Sequence, residues 1–251
     1  MRGRYPAPSG YSYSFGPGGI TPAIKILIAT NVAMFVAGWF VHVLPAWLGM
    51  QPAAVVGGGQ LWRPVTYMFL HSQSSFFHIL FNMLALWMFG VELERMWGTR
   101  FFLKYYFLCG VGAALTMTLL SFVPLPAFSY LYTSVTVGAS GAIYGILLAY
   151  ALYFPNRPIY IYFVFPVPAK YFVMIMGAIS LLSSLSGPGG GVAHTAHLGG
   201  LVVGYLYLKG TRIHMLSELQ YRFLKWRINK MRRKFDVYSG GRADDVDRRV
   251  H

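Results

Sequence analysis

Apolar residues in this chain fall in long continuous runs rather than in an alternating or amphipathic pattern. A helix of about 20 apolar residues crosses the hydrocarbon of a bilayer and satisfies its own backbone hydrogen bonds there. Between the runs the chain is polar or rich in Gly and Pro. The runs cover approximately residues 23–44, 76–93, 101–122, 137–154, 169–185 and 192–208. The pattern therefore predicts an all-α polytopic membrane protein with six transmembrane helices.

The segments outside these runs predict three parts. Residues 1–20 are rich in Gly and Pro and predict a flexible leader. Residues 21–209 form the membrane-embedded six-helix domain, within which the aromatic and glycine-rich stretch 45–75 is expected to lie in the membrane interface. Residues 210–251 form a basic tail, expected to be cytoplasmic.

Charge supports the membrane assignment and predicts its orientation. Only 11% of residues are charged, and 12 of the 21 Lys and Arg lie from Lys209 onward. Positive charge marks the leader, the connections 95–104 and 157–170 and the tail, so both termini are expected on the cytoplasmic side. The net charge of +14 therefore indicates either that the basic tail contacts membrane lipids or that it forms a solvated basic helix. Nucleic acid is not an expected partner.

Ser140 is the first candidate for chemistry, because it lies between small residues at the start of the fourth run. A helix N-terminus there would offer free backbone N–H groups to an anion. Gly138 and Gly141 would let a second backbone approach closely. Taken alone, such a cluster is more typical of helix packing.

His197 in the sixth run gives Ser140 a possible base. Gly200 and Gly204 follow it at helical spacing and share its face, which would let this helix approach the fourth helix closely. The imidazole would then lie beside the serine hydroxyl and could activate it. A histidine hydrogen-bonded inside the bundle is the alternative.

His78 and Asn82 lie one turn apart in the second run. Both side chains can donate hydrogen bonds, so together with the Ser140 amide they could hold an oxyanion. The alternative is a polar clamp between helices.

The near absence of Asp and Glu before the basic tail restricts the classes of protein that the chain can belong to. No Asp precedes Asp236, and the only Glu residues before the tail are Glu92 and Glu94, at the cytoplasmic end of the second run. This disfavours an aspartyl protease, a zinc enzyme and a proton-coupled transporter. No metal or cofactor is expected, and a serine mechanism would use a Ser–His dyad without a carboxylate. The single cysteine, Cys109, excludes a disulfide framework.

Several short motifs, in this order, resemble those of the rhomboid family of intramembrane serine proteases over roughly residues 20–210. They are Trp62-Arg63, His78-Ile79-Leu80-Phe81-Asn82, Glu94-Arg95-Met96-Trp97-Gly98, Gly138-Ala139-Ser140-Gly141 and Ala196-His197-Leu198-Gly199-Gly200 followed by Gly204. The resemblance implies a rhomboid-like bundle in which the fifth helix and the following outer loop act as a gate.

The resemblance also implies roles at the matching positions. Ser140 would be the nucleophile and His197 the base, with His78, Asn82 and the Ser140 amide at the oxyanion. Tyr144 would pack on the His197 ring. His71 would be a further histidine of the first loop, whereas His194 is taken as a residue of the loop or rim.

The implied activity is an intramembrane serine endopeptidase that cleaves single-span transmembrane proteins through an acyl-enzyme. The alternative is an inactive relative that binds transmembrane segments without cutting them. The compact plan favours a bacterial inner membrane, with an organelle as the alternative. The sequence does not indicate an oligomeric state.

Overall fold

The computed structural model describes residues 16–161, 164–186 and 191–212. The chain divides into a compact unit that ends at Tyr207 and a second unit that begins at Leu208. The predicted outer turn at 187–190 and the tail beyond Arg212 lie outside the described residues. The described part is mainly helical. Its α-helices are α1 (Pro22–Phe40), α2 (Leu44–Leu48), α3 (Pro52–Val56), α4 (Arg63–Thr66), α5 (Phe76–Trp97), α6 (Thr99–Leu120), α7 (Ser140–Tyr153), α8 (Ala169–Leu185) and α9 (Gly191–Arg212), and a 3-10 helical turn covers Tyr67–Phe69.

Three of these helices, α1, α5 and α6, are long and apolar enough to cross a membrane. Helices α7 and α8 are apolar but shorter, with 14 and 17 residues. The long helices agree closely with the predicted runs. The count of six spans and the side on which the termini lie remain predictions.

The fourth helix begins three residues later than the approximate start that the apolar run predicts. The fourth run is expected to become helical near residue 137, whereas α7 begins at Ser140. Gly138 has φ of 127°, a conformation that is incompatible with a right-handed helix and favours glycine. Its N–H donates to the Tyr67 carbonyl oxygen at 2.9 Å, which holds the bend against the segment between α1 and α5. The shift makes Ser140 the first residue of the helix.

The connection between α7 and α8 contains a short antiparallel hairpin that the sequence analysis did not predict. Its strands are β1 (Pro158–Ile161) and β2 (Phe165–Pro168). At its base, the Ala169 and Lys170 N–H groups donate to the carbonyl oxygens of Arg157 and Pro155 at 2.9 and 3.1 Å. These bonds satisfy two of the N–H groups that the first turn of α8 leaves free.

The segment between α1 and α5 is folded around a buried arginine. Arg63 donates from Nη1 to the Gly49 carbonyl oxygen and from Nη2 to the Ala46 carbonyl oxygen, each at 2.6 Å. Trp62 donates from its indole to the Trp47 carbonyl oxygen at 3.1 Å, while both indole side chains stay exposed. This arrangement ties the short helices α2 and α4 together without regular sheet or long helix.

At the other end of the bundle, Glu94 joins three helices. Its carboxylate accepts hydrogen bonds from the Ala23 and Ile24 N–H groups at 2.9 and 3.2 Å and from the hydroxyls of Thr21 and Thr99. A carboxylate at a helix N-terminus accepts hydrogen bonds from the free N–H groups and is attracted by the positive end of the helix dipole. The carboxylate is therefore bonded to the starts of α1 and α6 from its place on α5.

Beside it, Arg95 donates a hydrogen bond to each of the Pro17 and Gly19 carbonyl oxygens. Residues 16–20, the end of the predicted leader, are thus in contact with α5.

Candidate active site

Ser140 and His197 meet where α7 and α9 pack together. His197 Nε2 lies 2.8 Å from Ser140 Oγ, within hydrogen-bonding distance. The two residues are 57 positions apart in the chain, so this contact depends on the tertiary fold. It is the geometry that a base and a nucleophile require.

Glycines on both helices make this approach possible. A Cβ at Gly200 would overlap the carbonyl oxygen of Gly141, so the two backbones touch at this level. One turn further along, a Cβ at Gly204 would lie 3.3 Å from the Gly145 Cα. Close backbone contact of this kind is how small residues bring membrane helices together. The α7–α9 seam, defined by these four glycines, fixes the separation of the helices that carry Ser140 and His197.

Tyr144 supports the His197 ring. The two rings are stacked, with centroids 4.1 Å apart and an angle of 8° between their planes. Tyr144 lies one turn after Ser140 on α7, so a single helix carries both the hydroxyl and the ring that orients the imidazole. The stacking leaves the in-plane nitrogen atoms of His197 free to form hydrogen bonds.

His78 approaches the same site from α5. A Cβ at Gly138 would lie only 2.9 Å from His78 Nε2, so this nitrogen faces the residue two positions before Ser140. His78 Nδ1 accepts a hydrogen bond from the Ser72 N–H at 3.3 Å. A neutral imidazole that accepts at Nδ1 carries its proton at Nε2. His78 therefore presents an N–H donor toward the start of α7.

The α7 N-terminus offers further donors. The first N–H groups of a helix have no partner within the helix, and Ser140 is the first residue of α7. A Cβ at Gly138 would lie 2.9 Å from His78 Nε2 and 3.7 Å from Ser140 Oγ, so the imidazole and the serine flank the same glycine.

Asn82, the other expected oxyanion residue, is buried on α5. Its Nδ2 donates to the carbonyl oxygen of His78 at 2.6 Å. One of its two N–H groups is therefore used within its own helix.

His71 and His194 lie close to this group. The His71 ring meets the His78 ring edge-on with centroids 5.0 Å apart, and its side chain is only 2% exposed. Burial, followed by the nearby His78, lowers the pKa of His71 to about 3, so it is neutral at physiological pH. His194, expected at the loop or rim, lies on α9 and meets the His197 ring edge-on with centroids 5.5 Å apart.

Acidic groups lie at the far end of the bundle. Glu94 follows His78 by 16 residues on α5, which corresponds to about 24 Å along a helix. Glu92 pairs with Arg157, near the hairpin. Within the described ranges, no cluster of three His, Cys, Asp or Glu has the geometry of a metal site.

Sequence reasoning missed two residues that shape the site. Tyr67 accepts from the Gly138 N–H and donates from its hydroxyl to the Gly110 carbonyl oxygen at 2.7 Å, so it links the bend before α7 to α6. Ser72 determines which His78 nitrogen carries the proton. Main-chain partners such as these leave no pattern in the sequence.

Comparison with known proteins places this chain in a family. The model of the rhomboid domain matches residues 58–212, which cover more than half of the chain and include every residue of the site. The chain belongs to the rhomboid family. With its rhomboid domain and apolar helices, it is an integral membrane protein.

Three relatives illustrate the range of the family. The chain is 34% identical over 162 residues to rhomboid protease AarA of Providencia stuartii, an alignment that covers 59% of this chain and 55% of the relative. It is 33% identical over 137 residues to mitochondrial rhomboid protein 1 of Saccharomyces cerevisiae, covering 54% and 38%. It is 30% identical over 158 residues to rhomboid protease GlpG of Haemophilus influenzae, covering 62% and 72%. The chain thus spans about half or less of the length of the first two.

Proposed function

We propose that this rhomboid-family protein is an intramembrane serine endopeptidase that uses Ser140 and His197 as a catalytic dyad. The observation that carries the proposal is the 2.8 Å contact between Ser140 Oγ and His197 Nε2, at the first residue of a helix and under the stacked Tyr144 ring. Relatives named as rhomboid proteases support the reaction class. The substrates we propose are single-span transmembrane proteins.

Acylation begins with attack of Ser140 Oγ on the scissile carbonyl carbon. The hydroxyl proton moves to His197 Nε2 as the C–O bond forms, and the carbonyl oxygen becomes an oxyanion. The Ser140 N–H and the His78 Nε2–H are the donors we assign to that oxyanion, with the second N–H of Asn82 as a further one. Donors held in place before the reaction stabilise the developing charge without reorganising.

Breakdown of the tetrahedral intermediate returns the proton. The C–N bond breaks, and His197 Nε2–H protonates the departing amine, which leaves an ester on Ser140. In the second half, a water molecule gives a proton to His197 and attacks the ester carbon. Release of the acid returns that proton to Ser140 Oγ. His197 is therefore base and acid in turn, and no carboxylate is required.

The length of α7 supports an active site below the membrane surface. Its 14 residues span about 21 Å, whereas the hydrocarbon of a bilayer is about 30 Å thick. If the Tyr153 end reaches one interface, Ser140 lies beneath the other. We propose six spans with both termini cytoplasmic, a catalytic domain within residues 21–209 and a basic tail at 210–251. The proposed location is a bacterial inner membrane.

Cleavage of a tagged single-span substrate in liposomes tests the proposal. Ser140→Ala and His197→Ala should each lower kcat/KM by about a thousandfold or more. Ser129→Ala and His42→Ala change exposed residues of the same types and should retain wild-type activity. Wild-type rates in Ser140→Ala would refute the dyad. Substrate binding without cleavage by the wild type would favour the inactive binding protein.

A further inference from the structure

The Nδ1 atom of His197 is a hydrogen-bonding group that the proposed mechanism leaves unused. Nε2 must accept the Ser140 proton, so the neutral ring carries its own proton at Nδ1. This nitrogen is buried and has no hydrogen-bond partner among the described residues. A buried donor without an acceptor is costly, and the cost rises when the ring becomes a cation.

His194 has a matching nitrogen. It precedes His197 by three residues on α9, and its ring meets the His197 ring edge-on, at 89° with centroids 5.5 Å apart. Its Nδ1 is also buried and also has no hydrogen-bond partner among the described residues. An imidazole whose proton is on Nε2 accepts a hydrogen bond at Nδ1.

The other side chains considered near His197 do not offer an acceptor to its Nδ1–H. Tyr144 on α7 covers the face of the ring, and a stacked ring does not accept from an in-plane N–H. The Nδ1 of His78 on α5 already accepts from the Ser72 N–H. Glu92 and Glu94, the only described acids, lie near the far end of α5. His194 is therefore the side chain in ring contact with His197 that still has an unused nitrogen.

We propose that His194 is a positioning residue whose Nδ1 accepts the hydrogen bond donated by His197 Nδ1–H once the two rings turn slightly toward each other. The bond selects the tautomer with a free Nε2 and stabilises the imidazolium while it carries the Ser140 proton. That proton stays on Nε2, and none passes to His194. Both nitrogens are closed to solvent on rings in edge contact, so the bond needs no bridging water. The proposal rests on the dyad proposed above.

Two substitutions separate hydrogen bonding from packing. His194→Leu keeps the volume and removes the acceptor, whereas His194→Asn places its side-chain oxygen near the position of Nδ1. We expect His194→Leu to lower kcat about tenfold with KM unchanged, which is the effect of losing one hydrogen bond. The acidic limb of its kcat/KM profile should move to lower pH, since the imidazolium is less stable. His194→Asn should recover most of the rate and the original limb.

The measurement uses the full chain in liposomes with the single-span substrate. Wild-type cleavage that disappears in both Ser140→Ala and His197→Ala establishes the dyad independently, so the His194 variants then test only the positioning role. Thermal midpoints in detergent check folding, and His194→Ala replaces the leucine variant if that variant unfolds. Wild-type kinetics in the leucine variant would overturn the inference. So would equal losses in Leu and Asn with an unmoved acidic limb. A wild type that does not cleave would overturn both proposals.

Discussion

Helices α8 and α9 both pack near α7, yet they do so in different ways. On the α9 side, glycines of both helices bring the two backbones into contact. Only four of the 17 residues of α8 are buried. Its large exposed side chains are Tyr171, Met174, Ile175, Ile179, Leu181, Leu182 and Leu185.

This difference indicates that α9 and α8 have different roles, one in catalysis and the other in substrate entry. Proton transfer needs its atoms held to within about 0.5 Å, which a close backbone seam provides. A transmembrane substrate can reach the site only if a helix moves aside. Exposed apolar side chains in a bilayer already face lipid, so they lose little free energy when substrate replaces that lipid. We propose that substrate reaches Ser140 along α8, whose N-terminal end stays fixed by its hydrogen bonds to Arg157 and Pro155.

The largest expected effect comes from filling the α7–α9 seam. Gly200→Ala should lower the free energy of unfolding by about 3 kcal/mol, because the new Cβ overlaps the Gly141 carbonyl oxygen and the helices must separate. Activity should fall about a hundredfold as Ser140 and His197 move apart. Reversible unfolding in mixed detergent and substrate cleavage measure the two effects.

Gly177→Ala is the matched control on α8. A Cβ there would meet only the flexible end of Leu201, at 3.4 Å. Alanine also favours the helix, so stability should stay equal or rise slightly, by at most about 1 kcal/mol. Equal destabilisation by the two alanines would contradict the difference between α8 and the seam.

Gly138→Ala should damage the site more than the fold. The methyl group would lie 2.9 Å from His78 Nε2, and φ of 127° is unfavourable for alanine. Displacing the His78 donor should lower kcat about a hundredfold, the loss typical of one oxyanion donor. Steady-state kinetics measure the loss of kcat, and thermal unfolding measures the loss of stability.

Gly59→Ala supplies the comparison for backbone strain alone. Gly59 also has positive φ, at 65°, but a Cβ there would meet nothing within 4 Å. This variant should lose about 1 kcal/mol of stability and keep its kcat. A similar loss of kcat in both variants would show that strain, rather than His78, explains the Gly138 result.

A smaller effect concerns pH and tests whether His71, like the α7–α9 seam, is enclosed by the fold. The pKa of His71 is about 3 in the folded protein, below the ordinary value of 6.5. The unfolded chain therefore binds a proton as pH falls through 6.5, while the folded protein binds it only near 3. The free energy of unfolding should fall across this window, by about 2 kcal/mol at pH 5.

His71→Gln removes this titration and provides the measurement. The loss of stability between pH 7.5 and pH 5, measured by unfolding in detergent, should be about 2 kcal/mol smaller in the variant than in the wild type. An equal loss in both proteins would mean that His71 titrates normally and is not enclosed.

The sequence predicted the long elements and the site residues because each has a local pattern. The apolar runs matched the helices to within a few residues, and α8 agreed at both ends. The glycine spacing after His197 correctly indicated a close helix approach. The bend at Gly138 was missed, because it depends on the Tyr67 carbonyl, far away in the chain. The hairpin before α8 and the Ser72–His78 bond were missed for the same reason.

Labelling by a fluorophosphonate probe tests the central claim most directly, because it reports whether the α7–α9 seam makes Ser140 nucleophilic. The folded wild type should form one adduct, mapped to Ser140 by peptide mass spectrometry. His197→Ala should form no adduct, and Ser140 in Gly200→Ala should be labelled about a hundredfold more slowly than in the wild type. An adduct on another serine, or equal labelling of Ser140 without His197, would contradict the account.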